Sequence, residues 1–168
     1  MNWEAVSAIG QLIGAFAVLI TLIYLVIQVK QNTAAVATST YESTMTGFND
    51  INVIVASTPE LASIINRGCM NTDELTEVET VQFNFALRCY VNQWWKLYKL
   101  YDRGSLPRNE WAIFAKEAAQ FLEQPGCKTF CEQNKLFSDL YKDLEKYKTG
   151  VISNFGFTDQ IEEKEKLV

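Results

Sequence analysis

The sequence predicts an all-α protein: one N-terminal transmembrane helix continuing into a compact multi-helix bundle. Three observations carry this. Residues 9–29 hold no charge, and only Gln11, Thr21 and Gln28 are clearly polar apart from the Tyr24 hydroxyl. Beyond them, apolar residues recur at separations of three and four, the helical period. Proline, glycine and a capping signature punctuate that pattern at intervals suited to several helices. A composition of 48% hydrophobic and 12% aromatic residues in 168 excludes a disordered or collagen-like polymer.

The first element is the apolar run. At about 1.5 Å per residue its 21 residues extend roughly 31 Å, matching a hydrocarbon layer of roughly 30 Å. Lys30 closes it with an ammonium that can reach the interface, and Trp3 suits the opposite interface. The run is rich in β-branched residues, yet in lipid every backbone amide needs an internal partner, which favours a helix. Ala35-Val36-Ala37 imitates a signal-cleavage site, but Glu4 and the absence of Lys or Arg before the run fit a signal peptide poorly. A retained span is the preferred reading; a cleaved signal and a buried soluble hairpin or core helix are the alternatives.

Within the span, Ser7, Gly10, Gly14, Ala17, Thr21, Tyr24 and Gln28 recur at separations of 3, 4, 3, 4, 3 and 4. They share one face, with Ile9, Leu12, Ile13, Phe16, Leu19, Ile20, Ile23 and Ile27 opposite. Gly10-x-x-x-Gly14 permits close backbone approach, so homo-oligomerisation through the stripe is expected, against the bland reading that such glycine pairs arise by chance. The hydroxyls of Ser7, Thr21 and Tyr24 and the Gln28 amide also suit a hydrated pore, though helix packing explains them equally well.

The remaining elements follow in order. Residues 31–57 continue as helix, with a Tyr41, Met45, Phe48, Ile51, Val55 stripe. Thr58-Pro59-Glu60 starts a short helix that uses Leu61, Ile64 and Ile65 for packing and stops at Gly68, before a polar turn at 71–73. Thr76 and Glu79 form a capping box for a long helix ending near Gly104. Phe83, Leu87, Tyr90, Trp94, Leu97 and Tyr101 make one apolar face of it; Val78, Val81, Phe85 and Cys89 make a second, so it is expected to be central and packed on both. Arg88, Asn92, Lys96, Lys99 and Arg103 form a polar strip suited to solvent, salt bridges, lipid headgroups, a protein or, against the net charge, nucleic-acid phosphate. Pro107, Arg108 and Asn109 introduce a helix packed through Trp111, Phe114, Ala115, Ala118, Phe121 and Leu122 and ended by Pro125-Gly126. Residues 127–134 form a short helical piece, and Ser138 caps a last helix through Lys148, packed by Leu140, Tyr141, Leu144 and Tyr147. Domain organisation is thus 1–30 membrane anchor and oligomerisation segment, 31–148 helical domain, and 149–168 a peripheral short helix or mobile tail.

The chemistry is mostly one of exclusion. A net charge of −5 argues against a general nucleic-acid surface, and zero histidines remove the common triads and His-containing metal motifs. No phosphate loop, nucleophile elbow or dinucleotide fingerprint is present. Glu77 with Glu79 and Asp139 with Asp143 are candidate pairs in space, but capping and surface solvation explain them more simply. Cys69, Cys89, Cys127 and Cys131 read as separate reduced thiols, with a disulfide or metal as alternatives. No catalytic, cofactor-binding or metal residue is assigned, and a noncatalytic protein is expected. Lys30 gives one positive-inside vote for a single-pass inner-membrane protein whose C-terminal domain is cytoplasmic.

The opening MNWEAVSAIGQLIGAFAVLITLIYLVIQVKQNTAAV closely resembles bacterial and marine small membrane proteins of no established activity, which couple one N-terminal span to a helical domain. Leu106-Pro107-Arg108-Asn109-Glu110-Trp111, Pro125-Gly126 and Leu136-Phe137-Ser138 extend the resemblance to about residue 148. It implies architectural roles for Trp3, Gly10, Gly14, Tyr24, Gln28 and Gln31-Asn32, and no catalytic residue. More distantly, the layout resembles accessory membrane-pore proteins of RNA-targeting CRISPR defence. Their related nuclease domains need an arginine with a nearby histidine; Arg88 and Arg108 have none, which disfavours RNA cleavage. The expected function is a membrane-anchored, self-associating scaffold or sensor, with a homo-oligomeric pore in stress or phage defence as the alternative. Membrane lipid and further copies of the chain are the expected partners, and any other protein partner is unspecified.

Overall fold

The computed structural model describes residues 2–148, and the predicted peripheral segment 149–168 lies outside them. Among the described residues there are six α-helices and no strand, and a long apolar N-terminal helix leads into a helical bundle. The chain divides into two compact units, Met1–Ser39 and Thr40–Val168. The division falls inside the first helix, α1 (Trp3–Ser57), and beyond the residue-30 boundary that hydropathy suggests.

In the first unit the apolar part of α1 has a mean hydropathy of 2.6 over its best window, with none of that window buried. A core helix of a soluble protein is mostly buried, which this window is not, and its length and composition are those of a helix that could cross a membrane. Threonine hydroxyls are satisfied inside the helix: Thr21 donates to the Ala17 carbonyl at 2.8 Å and Thr33 to the Val29 carbonyl at 2.9 Å.

The second unit opens with the last turns of α1. Tyr41, Met45, Phe48, Ile51 and Val55 are half-buried as their spacing predicts, and Thr44 is fully buried with its hydroxyl satisfied by donation to the Thr40 carbonyl. Phe48 packs on Trp94, Tyr41 on Phe114, and the Tyr90 hydroxyl donates to Asn52 Oδ1 at 2.8 Å. α2 (Pro59–Met70) starts at its proline as expected and buries Ile64 and Ile65. It does not stop at Gly68. That residue sits inside the helix against the Phe83 ring, and the helix ends two residues later, where the Asn71 side chain accepts from the Asp73 N–H. Glycine here makes room for a neighbour and does not end the helix.

α3 (Glu77–Asp102) has the predicted capping box, with both reciprocal hydrogen bonds between Thr76 and Glu79 present. Gly104, at φ 72°, turns the chain after it. Phe83, Leu87, Tyr90, Trp94 and Leu97 are buried and Tyr101 half-buried. The second apolar face is not packed: Val78 is 70% and Phe85 66% exposed, with Val81 and Cys89 exposed beside them. The helices touching α3 cover one side of it only, so it is not enclosed as its two apolar faces suggest.

α4 (Arg108–Leu122) buries Trp111, Ala115, Ala118, Phe121 and Leu122. Pro125-Gly126 does not end it; α4 is already closed at Leu122, and Pro125 opens α5 (Pro125–Gln133) from its first turn. α6 (Ser138–Leu144) makes no use of the Ser138 side chain as a cap, because a 3-10 turn at Lys135–Phe137 runs straight into it and leaves Phe137 at the cap position. A second such turn, Glu145–Tyr147, finishes the described chain. Trp94, ringed by Phe48, Tyr90 and Phe121, is the centre of the core, and Trp111 between Tyr98 and Tyr101 is a second aromatic node. Such tilted and stacked contacts add roughly 0.5–1.5 kcal/mol each to simple burial.

Candidate functional site

Two predicted surfaces and three features less legible in sequence are the candidates. The stripe on α1 keeps its one-sided register: Ser7, Gly10, Gly14, Ala17, Thr21 and Tyr24 are exposed and Gln28 is half-buried. A Cβ built on Gly10 or Gly14 meets nothing within 4 Å, so that face has room for another backbone. The Thr21 donor already bonds within the helix, leaving Ser7, Tyr24 and Gln28 as the polar groups of the stripe.

The polar strip of α3 is also where its spacing puts it, and part of it is engaged locally. Lys99 is half-buried with its ammonium 4.3 Å from the Trp95 ring centre and 3.8 Å from Asp102, while Lys96 donates to Gln93 at 3.1 Å. Arg88, Asn92 and Arg103 are exposed. Arg88 borders a shallow cavity of about 190 Å³ with Phe85, Phe130 and Asn134.

The carboxylates take different roles from the paired arrangement considered. Asp143 is 7% exposed and accepts from Trp111 Nε1 at 2.7 Å and from Lys146 Nζ at 2.6 Å, so surface solvation does not describe it. Lys146 is correspondingly shifted upward by its hydrogen bond to Asp143. Glu79 bonds Arg67 as well as capping α3; the Arg67 guanidinium and then the Thr76 amide hold its carboxyl at about 2. These carboxylates brace helices to one another.

The cysteines are free, but two of them are not separate. Cys69 on α2 and Cys127 on α5 are buried with their Sγ atoms 3.6 Å apart. Their mutual hydrogen bond, then burial, push the Cys127 thiol up. Cys131 lines a second cavity of about 240 Å³ with Leu122, Tyr141, Leu144 and Lys148. Burial raises its thiol to about 11, and burial also raises the Tyr141 phenol. Among the described residues no cluster of three His, Cys, Asp or Glu is placed to hold a metal ion. No protein-family model, curated protein or solved structure matches the chain.

Proposed function

We propose that the chain is a noncatalytic, membrane-anchored helical scaffold or sensor that self-associates through the Ser7, Gly10, Gly14, Ala17, Thr21, Tyr24, Gln28 stripe. The observation that carries this is the long apolar helix whose best window has no buried residue, with two open glycines four residues apart on its small-residue face. Lipid tails are as apolar as leucine, so helices in a bilayer associate through close packing, and small residues allow it. The pore reading draws on hydroxyls along the same stripe; with the Thr21 donor committed to Ala17, the scaffold is the better supported of the two. The apolar run would lie in a bacterial inner membrane and the helical domain in the cytoplasm, as the charge at Lys30 suggests. Resemblance to small membrane proteins of one span and a helical domain points the same way.

The test is self-association in detergent micelles, read by sedimentation and by cross-linking in lipid vesicles. Gly14→Leu should weaken association by about tenfold or more, because a bulky side chain separates the backbones, whereas Leu12→Ile on the opposite face should leave it unchanged. A monomeric wild type, or equal effects from both substitutions, would refute the assignment of this face.

A further inference from the structure

The crossing of α2 and α5 is built from two Gly-Cys dipeptides, Gly68-Cys69 and Gly126-Cys127. A Cβ on Gly126 would lie 1.8 Å from the Gly68 carbonyl oxygen, so the two backbones touch there. Close backbone contact brings the neighbouring side chains into bonding reach. Cys69 and Cys127 are 1% and 0% exposed, and their sulfurs lie in van der Waals contact at 3.6 Å. A disulfide needs about 2.05 Å, a closure of about 1.5 Å that side-chain rotation of two facing cysteines can supply.

We propose that Cys69 and Cys127 are a redox-modification site, at which hydrogen peroxide converts the dithiol into an intramolecular disulfide joining α2 to α5. One sulfur attacks a peroxide oxygen, the O–O bond breaks, and a sulfenic acid and water result. The second sulfur then displaces hydroxide from the sulfenic sulfur; that hydroxide leaves as water with the second thiol proton. In sum, two thiols and one peroxide give one disulfide and two waters, the thiols losing two electrons and the peroxide gaining them. The other cysteines are placed for different outcomes. Cys89 lies exposed on the outer side of α3 and has no thiol against it among the described residues. Cys131 is half-buried and directed to Tyr141. Burial makes reaction at Cys69 and Cys127 slower than at exposed Cys89, but a sulfenic acid formed there has a resolving thiol already in contact.

The test treats the full-length chain in detergent micelles with hydrogen peroxide, blocks remaining thiols with iodoacetamide, and maps unreduced peptides by mass spectrometry. The expected product is a peptide pair joined through Cys69 and Cys127, two hydrogens lighter than the sum of its free-thiol peptides and separated again by dithiothreitol. It should persist in C89A/C131A. The bond closes a loop spanning 58 positions, so the thermal midpoint should rise by roughly 10 °C. Cys69 and Cys127 still alkylated after Cys89 is fully oxidised, sulfinic acid at either position, or pairing with Cys89 or Cys131 would overturn the proposal. Because the map is read on the wild-type chain, a misfolding variant does not blunt the test.

Discussion

Replacing Gly126 by alanine tests the α2–α5 crossing directly. The added Cβ would lie 1.8 Å from the Gly68 oxygen and 3.1 Å from Thr72 Cγ2. Real contacts of this kind stay beyond 3 Å, so the helices must part by more than about 1 Å. A gap of about that size forfeits a quarter to a half of each dispersion contact across it, and overpacked cores lose about 1–3 kcal/mol. Backbone cannot rotate out of the way as a side chain can, which puts this site at the upper end, about 3 kcal/mol. Alanine's better helix propensity returns at most about 1 kcal/mol, for a net loss of about 2 kcal/mol. Two other glycines calibrate the reasoning. At Gly68 the obstacle is the Phe83 ring at 2.6 Å, a buried side chain with some freedom, so G68A should cost less. At Gly47 it is the Gln93 amide at 2.5 Å, the end of a flexible side chain, and G47A should be neutral or slightly stabilising. Urea unfolding of the full chain in micelles, followed through buried Trp94 and Trp111, gives the ranking. A G126A protein within about 0.5 kcal/mol of wild type, or G47A as the most damaging of the three, would refute it.

Thr76→Ala removes half of the capping box and should cost about 1 kcal/mol by the same measurement. Glu79 adds a pH signature. Its folded-state value of about 2 lies below the ordinary 4.5, so its contribution is complete above about pH 4.5 and is lost as pH falls toward 2; Glu79→Gln should flatten that part of an acid-unfolding profile. Asp143→Ala leaves the buried Trp111 N–H without its acceptor and should cost about 1–3 kcal/mol, while Asp143→Asn, which keeps an acceptor oxygen, should cost less; equal losses would show that the hydrogen bond does not matter.

Helices were legible where a local rule decides them. The Thr76–Glu79 box and Pro59 act over three or four residues and fall where expected. Helix ends differ from expectation at glycine and proline, whose local meaning is double, and at Ser138, where a 3-10 turn takes over the start of the helix. Gly68 and Gly126 look like helix stops, yet both are needed for a close helix crossing between elements 58 residues apart, information no window of sequence contains. Pro125 reads as a breaker of the helix before it and is in fact the first residue of the helix after it. Asp143 reads, like Asp139, as a solvated surface carboxylate; only the fold brings Trp111 over it. On α3, periodicity showed that Val78, Val81 and Phe85 share a face, but it cannot say whether another helix covers them. The α1 stripe kept its register because a single helix fixes it, whereas whether a second helix meets it is a property of an assembly.

The proposal that α1 enters a membrane rests on a comparison of magnitudes. Along the first part of α1, large apolar side chains such as Leu12, Phe16, Ile20, Ile23 and Val26 are each more than half exposed. Fully burying one such side chain is worth roughly 1.5–3 kcal/mol, so a run of this length left in water forgoes on the order of 20 kcal/mol. A domain's whole stability is about 5–15 kcal/mol. The exposed patch on α3 is smaller and is bordered by Arg88 and Asn84, a size that ordinary protein surfaces carry. The exposed face of α1 therefore calls for a covering phase in a way that the α3 patch does not, and a bilayer covers all sides of a lone helix at once. Fractionation distinguishes the possibilities: the full chain should pellet with membranes, resist extraction by salt and carbonate, and dissolve in detergent. Full-length chain in the soluble fraction as a monodisperse species without lipid or detergent would show that protein contacts alone cover the helix, and both the scaffold and the pore readings would fall.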